Sequence, residues 1–307
     1  MSATTSAVVF AYHNVGVRCL RVLLDQGVDV RLVLTHEDSA TETIWYESVA
    51  QVCVDNGIEF TTVDDANRSD VVEKIRALAP DFFFSFYYRK MLGAALLSIP
   101  TRGALNMHGS LLPNYRGRVP TNWAVLHGET ETGASLHYME IKPDAGDLVA
   151  QTSVPILGDD TAHEVFQKVT VAAEITLARA LPQLINGTAA RVPMDLKSGS
   201  YFSGRKPEDG RIDWSQPAQA VYNLVRAVAP PYPGAFFDDG DVSVVVNKAK
   251  VLLAPGSAPA GQVDQIGDTL GICCGDGHLV VPLSITVNNE ALVGAALERW
   301  LTARLHT

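Results

Sequence analysis

Over roughly its first two thirds the chain alternates short apolar runs with segments of helical apolar spacing, and this alternation restricts it to few architectures. Runs rich in β-branched and aromatic residues lie at 6–12, 28–35, 58–62, 81–86 and 103–108, and the fourth contains the consecutive Phe82, Phe83 and Phe84. Between them, apolar residues recur at helical spacing over about 15–26, 42–56, 68–78 and 90–98. Strands separated by helices predict an α/β fold with a mostly parallel sheet covered on both faces, because parallel neighbours need crossover connections. Two further strands are expected at 133–139 and 149–156, then a long helix over about 161–186 with Asp160 or Thr161 as its N-cap.

Residues 187–210 are polar and punctuated by Gly187, Pro193, Gly199, Gly204 and Pro207, which reads as a linker or lid. Past Ile212-Asp213-Trp214-Ser215 a helix is expected to about Ala229, stopped by Pro230-Pro231-Tyr232-Pro233-Gly234. The remainder, short strands with Gly, Pro and Asp turns and a final helix near 289–305, predicts a small β-rich domain read as a barrel. The expected division is therefore 1–187, a linker or lid at 188–210, and a C-terminal domain at 211–307.

Composition removes several function classes. The 307 residues are 47 % hydrophobic and 19 % charged, as in ordinary globular proteins. No apolar run approaches the roughly 20 residues that span a bilayer, and the N-terminal Met-Ser-Ala-Thr-Thr-Ser has no basic region of a signal peptide. Cytoplasm is the expected compartment, without membrane association. A net charge of −10, from 24 Lys+Arg against 34 Asp+Glu, disfavours a broad phosphate-backbone interface, so no nucleic-acid partner is expected. Cys19, Cys53, Cys273 and Cys274 have no C-x-x-C spacing and read as buried free thiols, with no metal site.

The chemistry-bearing feature is Gly103-Ala-Leu-Asn-Met-His108, followed by Gly-Ser-Leu-Leu-Pro-Asn-Tyr-Arg-Gly-Arg118. Strand side chains alternate, so Asn106 and His108 leave the strand on one face, at the end where open parallel sheets bind ligands. An amide donor beside an imidazole suits a developing oxyanion and its proton. Alone, the pair also fits a turn asparagine and a structural histidine. Two companions strengthen the functional reading. Asp144, in Lys142-Pro143-Asp144-Ala145-Gly146-Asp147, is an acid able to orient His108 and favour its charged form, although the segment also fits an ordinary β-turn. Arg116 and Arg118 suggest an anion site on a loop that otherwise reads as solvated.

The first strand ends Ala11-Tyr12-His13-Asn14-Val15-Gly16, without the G-x-G-x-x-G fingerprint, and neither a P-loop, a G-x-S-x-G elbow nor H-E-x-x-H occurs. His163-Glu164 reads as the first turn of a helix, and His127 and His137 read as structural. The aromatic run at 82–88 reads as a buried strand whose end, Tyr87-Tyr88-Arg89, can wall a flat aromatic ligand.

Asn-x-His, then Ser-Leu-Leu-Pro-x-Tyr-Arg-Gly, then Asp144 about 36 positions after the histidine, resembles the 10-formyltetrahydrofolate-dependent formyltransferases. The likeness extends through Phe10-Ala11-Tyr12-His13, Thr35-His36, Phe84-Ser85-Phe86-Tyr87-Tyr88-Arg89, Gly128-Glu129-Thr130-Glu131-Thr132-Gly133 and Val225-Arg226-Ala227-Val228-Ala229. Within that family it is most similar to the formyltransferase domain of the bifunctional polymyxin-resistance enzyme, which formylates UDP-4-amino-4-deoxy-L-arabinose for lipid A modification. The resemblance implies a Rossmann-like N-terminal domain and an OB-like C-terminal domain. It implies Asn106, His108 and Asp144 as the catalytic trio. It implies folate against the strands at 81–89 and 103–108 and the 139–144 loop, with Tyr88, Arg89, Met91, Leu105 and Ile141 as candidate contacts. A nucleotide sugar would meet Tyr12, His13, Ser110, Leu111, Arg116, Gly117, Arg118 and Asn122.

The expected partners are thus 10-formyltetrahydrofolate as co-substrate and a nucleotide-linked amino sugar as acceptor, with a homodimer left open. The bifunctional relative also has a decarboxylase domain, and with this chain ending at Thr307 that activity is not expected. Two alternative acceptors are a dTDP-4-amino sugar and methionyl-tRNA. The tRNA-specific relatives insert a basic loop after the second strand, whereas 36–43 here reads His-Glu-Asp-Ser-Ala-Thr-Glu-Thr, short and acidic. A non-catalytic folate- or nucleotide-binding module on the same scaffold is disfavoured because all three catalytic positions are filled.

Overall fold

The structure, a computed structural model, describes residues 4–38 and 44–305. It divides into two compact units, one of Met1–Pro120, Glu131–Val154 and Phe166–Ser203, the other of Thr121–Thr130, Pro155–Val165 and Gly204–Thr307.

The strands and helices in chain order up to the second unit's core are β1 (Ser6–Ala11), α1 (His13–Asp25), β2 (Asp29–Leu34), α2 (Val49–Asn56), β3 (Phe60–Thr61), α3 (Ser69–Ala77), β4 (Phe82–Phe86), α4 (Ala94–Leu97), β5 (Gly103–His108), β6 (Arg116–Gly117), α5 (Pro120–Leu126), β7 (Glu131–Tyr138), β8 (Leu148–Pro155), α6 (Ala162–Asn186) and β9 (Tyr201–Phe202). Seven of the strands form one sheet in the order β3-β2-β1-β4-β5-β7-β8. Pairing is parallel from β3 through β5 and antiparallel between β5 and β7. The strand order reverses at β1, with β2 on one side and β4 on the other, and sheets of this kind bind ligands at the carboxyl ends of the strands beside such a switch point.

The phenylalanine run shows why both faces must be covered. Phe82, Phe84 and Phe86 stack along one face, Phe84 and Phe86 with ring centroids 5.8 Å apart. Phe83 points the other way and meets the Phe10 ring edge-on at 5.2 Å. All four are buried. Removal of each from water stabilises the fold by about 1.5–3 kcal/mol, more than β-propensity alone supplies.

Two helices are shorter than their periodicity predicts. α2 starts at Val49, where the Ser48 side chain accepts the Gln51 N–H, and the 42–43 part of the expected helix lies outside the described residues. α4 keeps only Ala94–Leu97 of the expected 90–98. The Asn67 amide receives the Gly93 N–H and donates to the Met91 carbonyl, which ties the preceding segment down as a loop. α6 forms as expected, and Thr161 is its cap: Thr161 and Glu164 exchange side-chain and backbone hydrogen bonds at the helix start, while the Asp160 carboxylate accepts the Leu157 N–H.

In the second unit, α7 (Ala218–Val228) precedes β10 (Ala235–Asp239), β11 (Val242–Leu252), β12 (Val263–Ile266), β13 (Thr269–Cys273), β14 (Leu279–Val287), β15 (Glu290–Val293) and α8 (Gly294–Thr302). The strands pair antiparallel in the order β10-β11-β14-β13-β12, with β15 added to β14. Val221, Val225, Leu297 and Leu301 pack from the two helices into its core. The sequence places the final helix at 289–305, and the structure corrects its first part to a hairpin strand. Asn288 and Asn289, with φ of 49° and 64°, form a two-residue turn that suits asparagine and pairs Val287 with Glu290.

The fold is thus a mostly parallel α/β sheet followed by a β-rich antiparallel domain. The four cysteines are buried free thiols. Among the described residues, no helix is long and apolar enough to cross a membrane.

Candidate active site

β5 and β7 bring the polar cluster together. Along β5, Leu105 and Met107 point into the core, 0 % and 1 % exposed, so Asn106 and His108 share the opposite face. The antiparallel register sets Asn106 opposite His137 and His108 opposite Ser135. Asp144, in the loop between β7 and β8, holds a left-handed backbone with φ of 49°. Its Oδ1 lies 3.6 Å from His108 Nδ1, 3.5 Å from His137 Nε2 and 3.5 Å from Asn106 Nδ2. Its Oδ2 accepts the Gly117 N–H at 2.9 Å.

Burial alone would raise the Asp144 carboxyl. The His108 charge, the His137 contact and the Gly117 N–H outweigh it and hold the group well below the usual carboxylate range. The site therefore keeps a largely buried, ionised acid. His108 Nε2 donates to the Tyr115 carbonyl at 2.8 Å. Its two ring nitrogens face one carbonyl and one carboxylate, and only the doubly protonated ring can donate to both.

The loop after β5 is held from two sides. Ser135 Oγ donates to the Ser110 carbonyl and accepts from the Leu112 N–H and Gln151 Nε2. On the other side β6 pairs parallel with β9, and the Tyr115 N–H donates to Ser200 Oγ. Gly117 has φ of 98°, and a Cβ there would sit 2.1 Å from the Phe202 carbonyl oxygen, so only glycine lets this N–H reach Asp144. The 200–202 stretch of the expected linker or lid thus clamps the arginine loop.

Backbone strain gathers in this region. His13, Tyr87, Tyr115, Val119 and Asp144 all have φ between 46° and 65°, at strand ends or on the loops of the cluster. For the β-branched Val119 such a conformation is a genuine outlier, and strain of this kind concentrates at functional sites.

An aromatic wall lines the carboxyl ends of β1, β2 and β4. Tyr88 stacks on His36 with centroids 4.3 Å apart, and Arg89 lies over the Tyr12 ring at 4.7 Å. Tyr12 Oη donates to Asp38 at 2.8 Å, and the His13 ring lies 4.6 Å from Trp45 and 3.9 Å from Tyr46. His36 Nε2 accepts the Arg89 N–H at 3.0 Å, which requires a neutral ring. Burial, together with the Arg89 and Lys90 charges, pushes His36 down to about 4. Unfolded His36 titrates near 6.5, so the unfolded chain binds the extra proton first and stability falls as pH drops from about 6.5 toward 4. Denaturant midpoints across that range should fall more steeply in the wild-type protein than in His36→Gln. Equal slopes would remove His36 from that dependence.

The remaining sequence candidates separate by burial. Met91 and Ile141 are exposed apolar residues, 54 % and 62 % accessible, on the loop after β4 and the loop carrying Asp144. Leu111 is half-buried and Arg118 is exposed. Leu105 is fully buried, which leaves only its main chain for any ligand. Ser110 Oγ donates to the Asn114 carbonyl within its own loop. Arg116 is buried, and one of its guanidinium nitrogens donates to the Leu196 carbonyl. Asn122 lies in the second unit, where its amide donates to the Ala227 carbonyl. His137, read from the sequence as structural, is instead in the cluster. The signal for it is register: β7 had to be paired against β5 before His137 fell opposite Asn106.

Comparison with known proteins fits this architecture. Residues 16–181 match the formyl transferase family, and residues 205–296 match the family's C-terminal domain. An N-formyltransferase from Helicobacter canadensis, solved with folinic acid and dTDP-3-aminofucose, superposes with a TM-score of 0.68 at 18 % identity, covering 91 % of this chain and 98 % of that one. WlaRD, a sugar 3N-formyl transferase solved in the presence of dTDP and 5-N-formyl-THF, gives 0.69 at 17 % identity over 94 % and 100 % of the two chains. A 4-N formyltransferase from Francisella tularensis gives 0.63 at 20 % identity over 76 % and 93 %. At these identities the solved structures speak for the fold, while the family match, spanning more than half of the 307 residues, speaks for kinship. The chain belongs to the formyl transferase family and is a formyltransferase.

Proposed function

We propose that this enzyme moves the formyl group of 10-formyltetrahydrofolate to the amine of a nucleotide-linked amino sugar, with UDP-4-amino-4-deoxy-L-arabinose as the acceptor. The observation that carries the reading is the ionised Asp144, set within 3.6 Å of His108, His137 and Asn106 on one face of β5 and β7.

10-Formyltetrahydrofolate supplies the formyl carbon, with N10 as the leaving nitrogen. The neutral sugar amine attacks that carbon, a C–N bond forms as the bond to N10 breaks, and one proton lost by the amine balances one gained at N10. An Asn106 N–H, now on a long 3.5 Å contact with Asp144, and the His108 Nε2–H, now given to the Tyr115 carbonyl, are the donors for the oxyanion. Asp144 keeps the His108 ring charged and helps carry the proton from amine to N10.

The residues fit a folate on two observations. Met91 and Ile141 expose apolar surface of the kind that packs on a flat ring system, and Tyr88 and Arg89 stand at the carboxyl end of β4. Exposed Arg118 is the guanidinium available to a diphosphate. The acidic stretch beginning His36-Glu37-Asp38 argues against a tRNA acceptor, although its 39–43 part lies outside the described residues.

The UDP sugar rests on sequence resemblance, which also carries the link to lipid A modification and polymyxin resistance. A dTDP-linked amino sugar is the second reading, favoured by the names of the structurally similar proteins. Comparison of kcat/KM for the two acceptors at saturating 10-formyltetrahydrofolate decides between them. We expect at least about a tenfold preference for the UDP sugar, equivalent to about 1.4 kcal/mol of discrimination. Equal rates or preference for the dTDP sugar would overturn that assignment.

A further inference from the structure

β6 and β9 are strands of two residues each, paired parallel in a sheet of their own. A ladder this short supplies little stability, so its interest lies in what it orients. Successive peptides along a strand face opposite edges. The Arg116 and Arg118 N–H groups donate to the Ser200 and Phe202 carbonyls, at 3.1 and 3.0 Å. The Gly117 N–H between them leaves by the other edge and meets Asp144 Oδ2 at 2.9 Å. The Tyr115 carbonyl, just ahead of the strand, accepts the His108 Nε2–H at 2.8 Å.

We infer that β9 aligns His108 and Asp144 through β6, and that Ser200 is the positioning residue that fixes this alignment. The inference rests on the formyl-transfer reading of the site.

Ser200 grips the peptide that reaches His108. In a planar trans peptide the carbonyl and the N–H point in opposite directions. The Tyr115 carbonyl and the Arg116 N–H belong to one peptide. With that N–H bound to the Ser200 carbonyl, the oxygen must face away from β9, toward the imidazole. The Ser200 hydroxyl holds Tyr115 from its other end, accepting the Tyr115 N–H at 2.8 Å. Tyr115 needs this restraint. Its φ of 55° is left-handed, which is costly for a residue with a Cβ and persists only where the surroundings enforce it. Without the hydroxyl the Tyr115 N–H loses its acceptor, and the turn can relax and carry its carbonyl off His108.

The strap meets the loop at backbone distance along its whole length. A Cβ at Gly199 would sit 2.1 Å from the Pro113 carbonyl oxygen, as one at Gly117 would from that of Phe202. The Tyr115 and Phe202 rings stack with centroids 5.3 Å apart. Strap, loop and Asp144 all lie within the first compact unit.

Substitution in the full-length enzyme tests the role. Ser200→Ala should lower kcat about tenfold, the scale for a modest misplacement of a catalytic group, with KM for both substrates within about threefold of wild type. Ser200→Thr keeps the hydroxyl at this half-buried position and should stay within about threefold of the wild-type kcat. Amide hydrogen exchange reads the alignment without substrate. In Ser200→Ala the Gly117 amide should exchange at least about tenfold faster than in wild type, while the amides of β1 and β4 keep their rates. A kcat of Ser200→Ala within about threefold of wild type, an equal loss in Ser200→Thr, or an unchanged Gly117 rate overturns the inference. So does a loss of kcat in which β1 and β4 exchange accelerates as much as Gly117, because the substitution then acts on the whole fold. Absence of formyl transfer to any amine by the wild-type protein would instead remove the reading of the reaction. The Gly117 rates would still decide whether Ser200 holds β6 against Asp144.

Discussion

Replacement of His108 by alanine should lower kcat at least about 10²-fold, with KM for the nucleotide sugar little changed. The expectation follows from where the ring stands. His108 is 6 % exposed, its Nε2–H is given to the Tyr115 carbonyl, and its Nδ1 faces the Asp144 carboxylate at 3.6 Å. An Nε2–H given only to a neutral carbonyl can be redirected to a stronger acceptor, and an oxyanion forming at the formyl carbon is such an acceptor. The alanine leaves a cavity as well as a missing donor, so stability falls too, by about 1–3 kcal/mol for a buried side chain of this size and polarity. Steady-state kinetics below the variant's unfolding temperature separate the two effects. A variant that is folded and retains kcat within a few-fold of the wild type would exclude His108 from the chemical step.

Asp144→Asn should have an effect on the order of 10²–10⁴-fold on kcat, because one substitution removes two things. It removes the counter-charge of the His108 ring and the carboxylate available to relay a proton, while an amide oxygen can still accept the Gly117 N–H. Without the carboxylate at 3.6 Å, the charged form of His108 loses its partner, so the limb of the kcat profile that reports that ring moves to lower pH. Asp144 itself does not produce an acid limb near neutrality, since its carboxyl is held well below the usual carboxylate range. The same depression makes Asp144 a stabilising group above the ordinary carboxylate range, a contribution lost as pH falls through its depressed folded value. The asparagine variant should therefore lose less stability on acidification than the wild type, relative to its own value at pH 7. A pH profile of kcat that does not move would separate Asp144 from the imidazole.

What the sequence revealed and what it concealed divide along a physical line. Local patterns were readable where one interaction dominates. The β-branched and aromatic runs became strands because burial on both faces admits little else, and the Asn106–His108 spacing set both side chains on one face because a strand has period two. Features that depend on pairing between distant segments were hidden. His137 joins the site only through the β5–β7 register, and the side chains of Ser135 and Gln151 brace the loop only because β7 and β8 lie beside it. Arg116 reads as a free cation until β9 covers it. Boundaries set by single side chains were hidden as well. Ser48 starts α2 late and Asn67 ties down the chain before α4. The Asn288-Asn289 turn converts the head of the terminal helix into a strand, although Asn-Asn between apolar runs is a hairpin signal that the helical spacing outweighed. The trio itself was legible because resemblance supplied Asp144, whose own sequence context fits an ordinary turn as well as a site.

Transfer of a ¹³C-labelled formyl group from 10-formyltetrahydrofolate is the most direct measurement of what this site does. With UDP-4-amino-4-deoxy-L-arabinose, a dTDP-4-amino sugar and methionyl-tRNA offered in parallel, the label should appear on a nucleotide-sugar amine at a rate that His108→Ala and Asp144→Asn abolish. It should not appear on the tRNA. Label transferred only to methionyl-tRNA, or tight folate binding with no transfer to any amine, would contradict the account.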